Sequence, residues 1–298
     1  MELRVLHYFL AVAREQSISA AAESLHLSQP TLSTQLKALE DELGKKLLIR
    51  GTKGSRRVVL TDEGMILRKR AEEILELVRM TENEISVSDE IVEGDVYIGA
   101  GESDVFRIFA KAAGNLEKKY PDIHYHIFSG NFVFVQEQLD RGLIDFGVVY
   151  GPVDASKYNS IKVPIPDRWG IYMRKDDPMA KMEYIRPEDL WDKPLIVSAQ
   201  KSDDWPLAKW IKKDLNDLNI VAHYNLVFNA SIMVEEGLGY ALSFDKLINV
   251  SGDSKLCFIP LDPPLVSEAS VIWKKYQIFS KAAQKYMDEL KKCFEEMN

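Results

Sequence analysis

The residues best suited to chemistry in this 298-residue chain lie in one short run, Ser28-Gln29-Pro30-Thr31-Leu32-Ser33-Thr34-Gln35-Leu36-Lys37. Hydroxyl, amide and ammonium groups sharing one face can hydrogen-bond phosphate oxygens and the edges of base pairs. Further on, Arg50, Lys53, Arg56 and Arg57 crowd around two glycines. That cluster suits the neutralisation of phosphate charge. Neither set can read a duplex unless a rigid element holds it outward.

The pattern supplies such elements. Ser28 suits a helix N-cap and Pro30 the first helical turn, whose N–H groups have no partner within the helix. Leu32, Leu36, Leu39 and Leu43 then recur at spacings of four, three and four, which at about 100° per residue makes one buried stripe. Pro30, Ser33, Thr34, Lys37 and Asp41 fall on the opposite face. Upstream, Leu6, Phe9, Leu10 and Ala13 stripe a first helix that Gln16-Ser17 ends. Ile18, Ala21, Ala22 and Leu25 stripe a short second helix, and His26-Leu27-Ser28 turns into the third. Small alanines permit the close approach that a helix-turn-helix requires. Gly44 suits a left-handed helix cap. The β-prone residues 47–50 and 57–60 flank 51–56 as a hairpin, or wing.

Taken alone, a leucine stripe marks any helical bundle, a hydroxyl face marks any solvated helix, and a cationic turn is ordinary surface. More specific is the order and spacing of Phe9, Ala11, Ser17, Ala21-Ala22, Leu25, Ser28-Gln29-Pro30, Leu32-Ser33, Gln35-Leu36, Leu39-Glu40, Leu43-Gly44, Leu47, Arg50, Leu60-Thr61 and Gly64. Together they resemble the amino-terminal signature of the LysR-type transcriptional regulators. The resemblance implies a winged helix-turn-helix that binds double-stranded DNA through Ser28, Gln29, Pro30, Thr31, Ser33, Thr34 and Lys37, with Arg50, Lys53, Arg56 and Arg57 on the backbone. RNA polymerase is a further partner for such a regulator. Two positions depart from the pattern. Leu48 stands where Phe is usual, a tolerable core exchange, and Thr34 stands where Arg is frequent, which removes one cationic contact.

Charge agrees locally rather than globally. The chain carries 38 Lys and Arg against 46 Asp and Glu, a net charge of −8. Residues 1–60 nevertheless hold nine basic and six acidic side chains, leaving −11 for the remainder. A basic head on an acidic body fits a polyanion partner for the head and another task for the body.

From Thr61-Asp62-Glu63 a long helix runs to about residue 86, with Leu67, Ala71, Ile74, Val78, Thr81 and Ile85 at alternating spacings of four and three. Such a seam of two to three heptads must pack on something. The chain's own body would serve, as would the same helix of a second copy. The resemblance implies the latter, as a homodimer or homotetramer presenting paired recognition helices to inverted half-sites about one DNA turn, or multiples of it, apart.

Residues 88–94 read as a polar hinge. Beyond it strands are expected at 96–100, 123–128, 146–149, 169–173, 195–197, 221–227, 240–243 and 270–273. Helices are expected at 103–120, 133–141, 206–215, 231–236 and 279–294. This alternation predicts a parallel α/β sheet. Chain crossings near 162–165 and 263–266 would split it into lobes of 92–162 with 266–298, and 163–265. The fold class is thus α/β, with a winged head over 1–60, a dimerisation helix over 61–88 and an effector domain over 92–298. The resemblance implies that this domain is two-lobed and built like a periplasmic binding protein.

Open parallel sheets bind ligands at the carboxyl ends of their strands. That rule selects Gly101, Glu102, Ser103, Gly130, Asn131, Tyr150, Ser198, Gln200 and Asn229 as the lining of a site for a small metabolite. Ser103 could donate to an anion at a helix start or merely cap that helix. Glu102 and Asp104 would repel an acid and favour an amine or amino acid.

Enzymatic motifs are missing from the sequence: no nucleotide-binding glycine pattern, no HExxH pair and no G-x-S-x-G elbow occur. No cofactor or metal site is expected. His124 and His126 alternate on one strand, and Trp169, Trp191, Trp205 and Trp210 could line a cleft, though core duty is the default for tryptophan. Cys257 and Cys293 are the only cysteines; a cysteine-based redox sensor and a constitutive DNA binder without ligand remain alternatives. With no apolar leader at Met1-Glu2-Leu3-Arg4 and no run of eighteen apolar residues, the expected location is the cytoplasm, without a membrane partner.

Overall fold

The computed structural model describes residues 1–51, 57–86, 92–199 and 206–297. Two compact units, Met1–Ser88 and Asp89–Asn298, divide the chain.

The first unit opens with helix α1 (Leu3–Glu15), which Gln16 ends in the left-handed conformation. Ser17 then caps α2 (Ile18–Ser24), its side chain accepting the Ala20 N–H. Ser28 caps α3 (Gln29–Leu43) by accepting the Thr31 N–H, and Gly44 closes α3 at φ 64°, where a side chain would be strained. Strands β1 (Leu48–Arg50) and β2 (Val58–Leu60) pair antiparallel as the wing, followed by α4 (Asp62–Ser86). Phe9, Val12, Ala21, Leu32, Leu36, Leu39, Leu48 and Val58 form the core.

One expectation about the α3 stripe is corrected. Leu43 is exposed, because the helix stops beside it. The inward place is taken by Glu40, which is only 4% exposed. Its Oε1 accepts the N–H groups of Leu47 (2.8 Å) and Leu48 (3.2 Å). Burial pushes this carboxyl's pKa up, but those two bonds and Lys46 outweigh it and hold the value below the usual range. A buried carboxylate thus ties α3 to the wing. Gly64 is needed for the same junction, since a Cβ there would stand 2.2 Å from the Leu47 carbonyl oxygen.

The α4 seam also divides. Leu67 packs on the core of the head and Ala71 is fully buried, so these two are used within the protomer, where α4 lies along α1. Ile74 and Val78 are half-buried, while Thr81 and Ile85 are exposed.

The second unit contains two sheets. In the first lobe β3 (Gly94–Ala100), β4 (Ile123–Ser129), β5 (Phe146–Tyr150) and β6 (Tyr158–Lys162) are covered by α5 (Phe106–Glu117) and α6 (Phe132–Arg141). The second lobe comprises β7 (Asp167–Arg174), β8 (Leu195–Ser198), α7 (Pro206–Trp210), β9 (Ile220–Tyr224), α8 (Val227–Glu235), β10 (Tyr240–Phe244), β11 (Leu256–Pro260) and the short β12 (Val266–Ser267). The chain returns through β13 (Ala269–Lys274) and α9 (Lys281–Glu295) to finish the first lobe.

Strand order is β4-β3-β5-β13-β6 in the first sheet and β11-β7-β10-β8-β9, with β12 on β7, in the second. The sheets are mixed rather than purely parallel: β3, β4 and β5 run parallel, as do β8, β9 and β10, but β6, β7, β11, β12 and β13 pair antiparallel. The cause is the double crossing, since a chain that leaves one lobe and returns beside itself forms antiparallel pairs at both ends. The return lies at Glu268, a little later than expected, because Val266 and Ser267 still pair with Arg168 and Asp167. Sequence patterning missed β6 and β11, which are short and weakly alternating. Helix α7 is shorter than expected, and α8 starts at Val227 rather than near Ser231.

Candidate functional site

On the head, the outward flank of α3 is open. Ser28, Gln29, Pro30, Thr31, Thr34 and Lys37 are exposed and Ser33 is half-buried. Their hydroxyls are not idle. Ser28 Oγ lies 2.7 Å from Thr31 Oγ1, and Thr34 Oγ1 donates to the Pro30 carbonyl at 2.9 Å. Ser19 Oγ meets Gln29 Oε1 at 3.3 Å, which fixes that amide across the turn. Lys37 has no hydrogen bond or ion pair with a described residue, so it is the free cation of this flank.

At the wing, Lys53 and Arg56 lie outside the described residues, as does the side chain of Arg50. Arg57 is exposed, and its Nε donates to Gln16 Oε1 at 2.9 Å. The Gln16 carbonyl also accepts the Val58 N–H at 2.8 Å. The left-handed residue that breaks α1 therefore pins the second wing strand, a role its sequence context did not announce.

In the second unit a cavity of about 160 Å³ opens between the two sheets. Among the residues expected at the strand ends, Gly101, Glu102, Gly130, Asn131, Tyr150 and Ser198 line it. Gln200 falls outside the described residues. Asn229 does not line it: because α8 begins early, Asn229 is an exposed residue in the first turn of the helix, and Asn225 lines the cavity instead. Trp169, Tyr224, Ser243 and Phe244 also contribute. They belong to the middle or end of strands whose inward faces could not be assigned before the register of β7 and β10 was known. The aromatic wall is continuous, with Phe244 packed 5.0 Å from Tyr150 and 4.5 Å from Trp169 between ring centroids.

Ser103 lies to one side of this cavity. Its Oγ accepts the Val105 N–H and donates to Asp167 Oδ2 at 2.6 Å, and the Tyr150 hydroxyl donates to the same oxygen. Asp167 is buried; burial raises its pKa against the two hydroxyls that favour the ionised form, and neighbouring Asp104 adds to the rise. Burial and Asp167 together push the Tyr150 phenol far up, and burial does the same to Tyr224. Across the cavity, the Glu102 carboxylate accepts the N–H of Val227, the first residue of α8.

Of the other tryptophans, Trp210 is buried in the second lobe, its indole donating to the Pro263 carbonyl at 2.7 Å, whereas Trp191 is exposed and its indole donates to the Ile211 carbonyl. Trp205 is outside the described residues. His126 bonds Asp95 at 2.7 Å and stacks on Tyr97. No cluster of three potential metal ligands stands together among the described residues. Cys293 is buried in the first lobe and Cys257 is half-buried in the second, both free, with burial raising each thiol's pKa. No helix among the described residues is long and apolar enough to cross a membrane.

Residues 3–65 match the family described as bacterial regulatory helix-turn-helix protein, lysR family, and residues 90–294 match the LysR substrate binding domain. The chain is 26% identical over 298 residues to the uncharacterized HTH-type transcriptional regulator YvbU of Bacillus subtilis (strain 168), covering 99% of each. The crystal structure of CbnR, a LysR family transcriptional regulator, superposes with a TM-score of 0.76 at 18% identity over 99% of each chain. Full-length CbnR complexed with its target DNA gives 0.75 at 18% identity, covering 98% of this chain and 100% of that one.

Proposed function

The chain belongs to the LysR family of bacterial helix-turn-helix regulators, a DNA-binding transcriptional regulator and not an enzyme, and from that premise we propose that it is a ligand-responsive switch acting as a symmetric oligomer. The observation that carries the switch is the cavity between the lobes, walled from both sides. A molecule seated there gains contacts only when the lobes are close, so it biases an equilibrium between lobe arrangements. A coupling of about 1–3 kcal/mol suffices to change DNA affinity several-fold.

On the DNA side, the α3 flank from Ser28 to Lys37 reads the major groove while Lys53, Arg56 and Arg57 hold the backbone. A dimer formed through the exposed part of α4 pairs two such flanks on an inverted repeat; Phe228 and Ile232, exposed on α8, offer a second self-association surface for a tetramer. The DNA of a cytoplasmic nucleoid is its place of work, and contact with RNA polymerase would follow from binding beside a promoter.

A cysteine switch is disfavoured. Raised thiol pKa values lower the thiolate fraction that oxidation requires, and Cys293 and Cys257 belong to different lobes. The decisive experiment is a footprint of the full chain on the DNA upstream of its own gene, with and without a metabolite panel. Two symmetric protected half-sites whose pattern shifts with a metabolite are expected. Protection insensitive to every metabolite would support the constitutive binder, and the absence of protection would remove the operator reading.

A further inference from the structure

We infer that the molecule bound between the lobes is a small organic cation, an amine or quaternary ammonium compound, with Glu102 as its counter-ion. This rests on the cavity being the effector site.

Charge is the first argument. Among the described residues lining the cavity there is no Lys, Arg or His, and the one carboxylate is Glu102. Tyr150 and Tyr224, both with pKa values raised by burial, stay neutral. An anion entering here would meet a like charge with no compensating cation among the described lining residues, in surroundings where water screens little.

Three of the donors that could welcome an anion are, moreover, already engaged. The start of a helix is a natural anion site, but at α8 the Val227 N–H is given to Glu102. The hydroxyls of Ser103 and Tyr150 are given to Asp167. Two internal carboxylates thus take up three donors that an acidic ligand could use. Glu102 still has capacity: the bond to Val227 uses Oε2, and Oε1 has no partner among the described residues. An ammonium N–H can donate to that oxygen.

Ring faces supply the rest. Trp169, Phe244 and Tyr150 form a continuous wall of the cavity, and the negative faces of aromatic rings attract cations while tolerating their methyl or methylene groups. The volume of about 160 Å³ is close to that of a cavity which accepts benzene. A ligand of about ten non-hydrogen atoms or fewer fits.

The test uses three ring compounds of one size and different charge, benzylamine, benzyl alcohol and benzoate, titrated calorimetrically into the full-length protein near neutral pH. Benzylamine should bind about tenfold or more tightly than benzyl alcohol, and benzoate should bind weakest. In Glu102→Gln, which keeps a hydrogen-bond acceptor for Val227, the advantage of the amine over the alcohol should vanish. Benzoate binding as tightly as benzylamine, or an amine advantage that survives Glu102→Gln, would overturn the cation assignment while leaving the cavity as a binding site. If none of the three binds the native chain at millimolar concentration, the effector site itself is wrong and the cation assignment falls with it.

Discussion

Glu102 Oε2, on the loop that follows β3 in the first lobe, accepts the N–H of Val227 at the first position of α8 in the second. Leu226, the residue before α8, offers no side-chain cap, so the opposite lobe supplies the capping carboxylate. Helix start and lobe closure are therefore one interaction. A hydrogen bond to a charged group contributes about 1.5–3 kcal/mol. In Glu102→Ala the Val227 amide should exchange with deuterium about tenfold or more faster in the full chain, while amides in the core of β3 keep their rates. Unchanged exchange at Val227 would separate the bond from lobe closure.

Lys37 is exposed on α3 and has no hydrogen bond or ion pair with a described residue; in the proposed function it reads base edges while the wing cations hold phosphate. Lys37→Ala or Gln29→Ala should cost about 1–3 kcal/mol on operator DNA and little on random sequence. Lys53→Ala combined with Arg56→Ala should weaken both DNAs alike and lower the salt slope by about one per lost contact. Fluorescence anisotropy across a salt series separates the two patterns, and equal losses on both DNAs for Lys37→Ala would move that lysine to the backbone.

Glu40 gathers the Leu47 and Leu48 N–H groups at the base of the wing. Removing the acceptor leaves two buried donors unsatisfied, at about 1–3 kcal/mol each. Glu40→Ala should speed exchange of both amides at least tenfold and weaken operator binding. Because the folded carboxyl has a lowered pKa, its contribution is present above the ordinary carboxylate range and fades as pH falls through the folded value. The difference between native chain and variant should shrink in acid.

At Asp167 the sign reverses. Its pKa is raised in the folded state, with burial the largest cause, so ionising it costs stability as pH climbs from the unfolded value through the folded one, and the cost is constant above that. Asp167→Asn should flatten this limb. All five tryptophans lie between residues 169 and 273, so urea unfolding followed by tryptophan fluorescence from about pH 4 to 7 reports this unit alone. A variant with an undiminished limb would assign it to another group.

Ile85 is 78% exposed near the end of α4, an apolar side chain that water does not favour. Ile85→Asp should shift the full chain from dimer towards monomer in light scattering and weaken binding to a paired operator more than to a single half-site. A native chain that is monomeric at micromolar concentration would end the dimer-helix assignment.

The head is legible in the sequence because its signals are local. Ser17, Ser28 and Gly44 are chosen by helix-end chemistry between residues close in sequence, and the stripe through Leu32, Leu36 and Leu39 is a consequence of helical pitch alone. Leu43 failed the same rule because a stripe says nothing of where the neighbouring element stops. Glu40 is among the signature positions, yet its buried role is not legible because its partners lie at the start of a strand that periodicity cannot dock. In the body, strand ends near Gly101, Gly130, Tyr150 and Ser198 were visible from composition, yet Asn229 was misplaced when α8 began four residues early. The internal sites of Glu102 and Asp167 depend on contacts spanning 125 and 64 residues. By itself the chain determined most of the elements, where many of them start and that the third helix of the head carries a polar outward face, since those follow from short-range dihedral and hydrogen-bond preferences. Only the tertiary structure decided which charges and rings meet between the lobes, because that depends on crossing strands and register, which bring together residues whose spacing in sequence carries no trace of their contact.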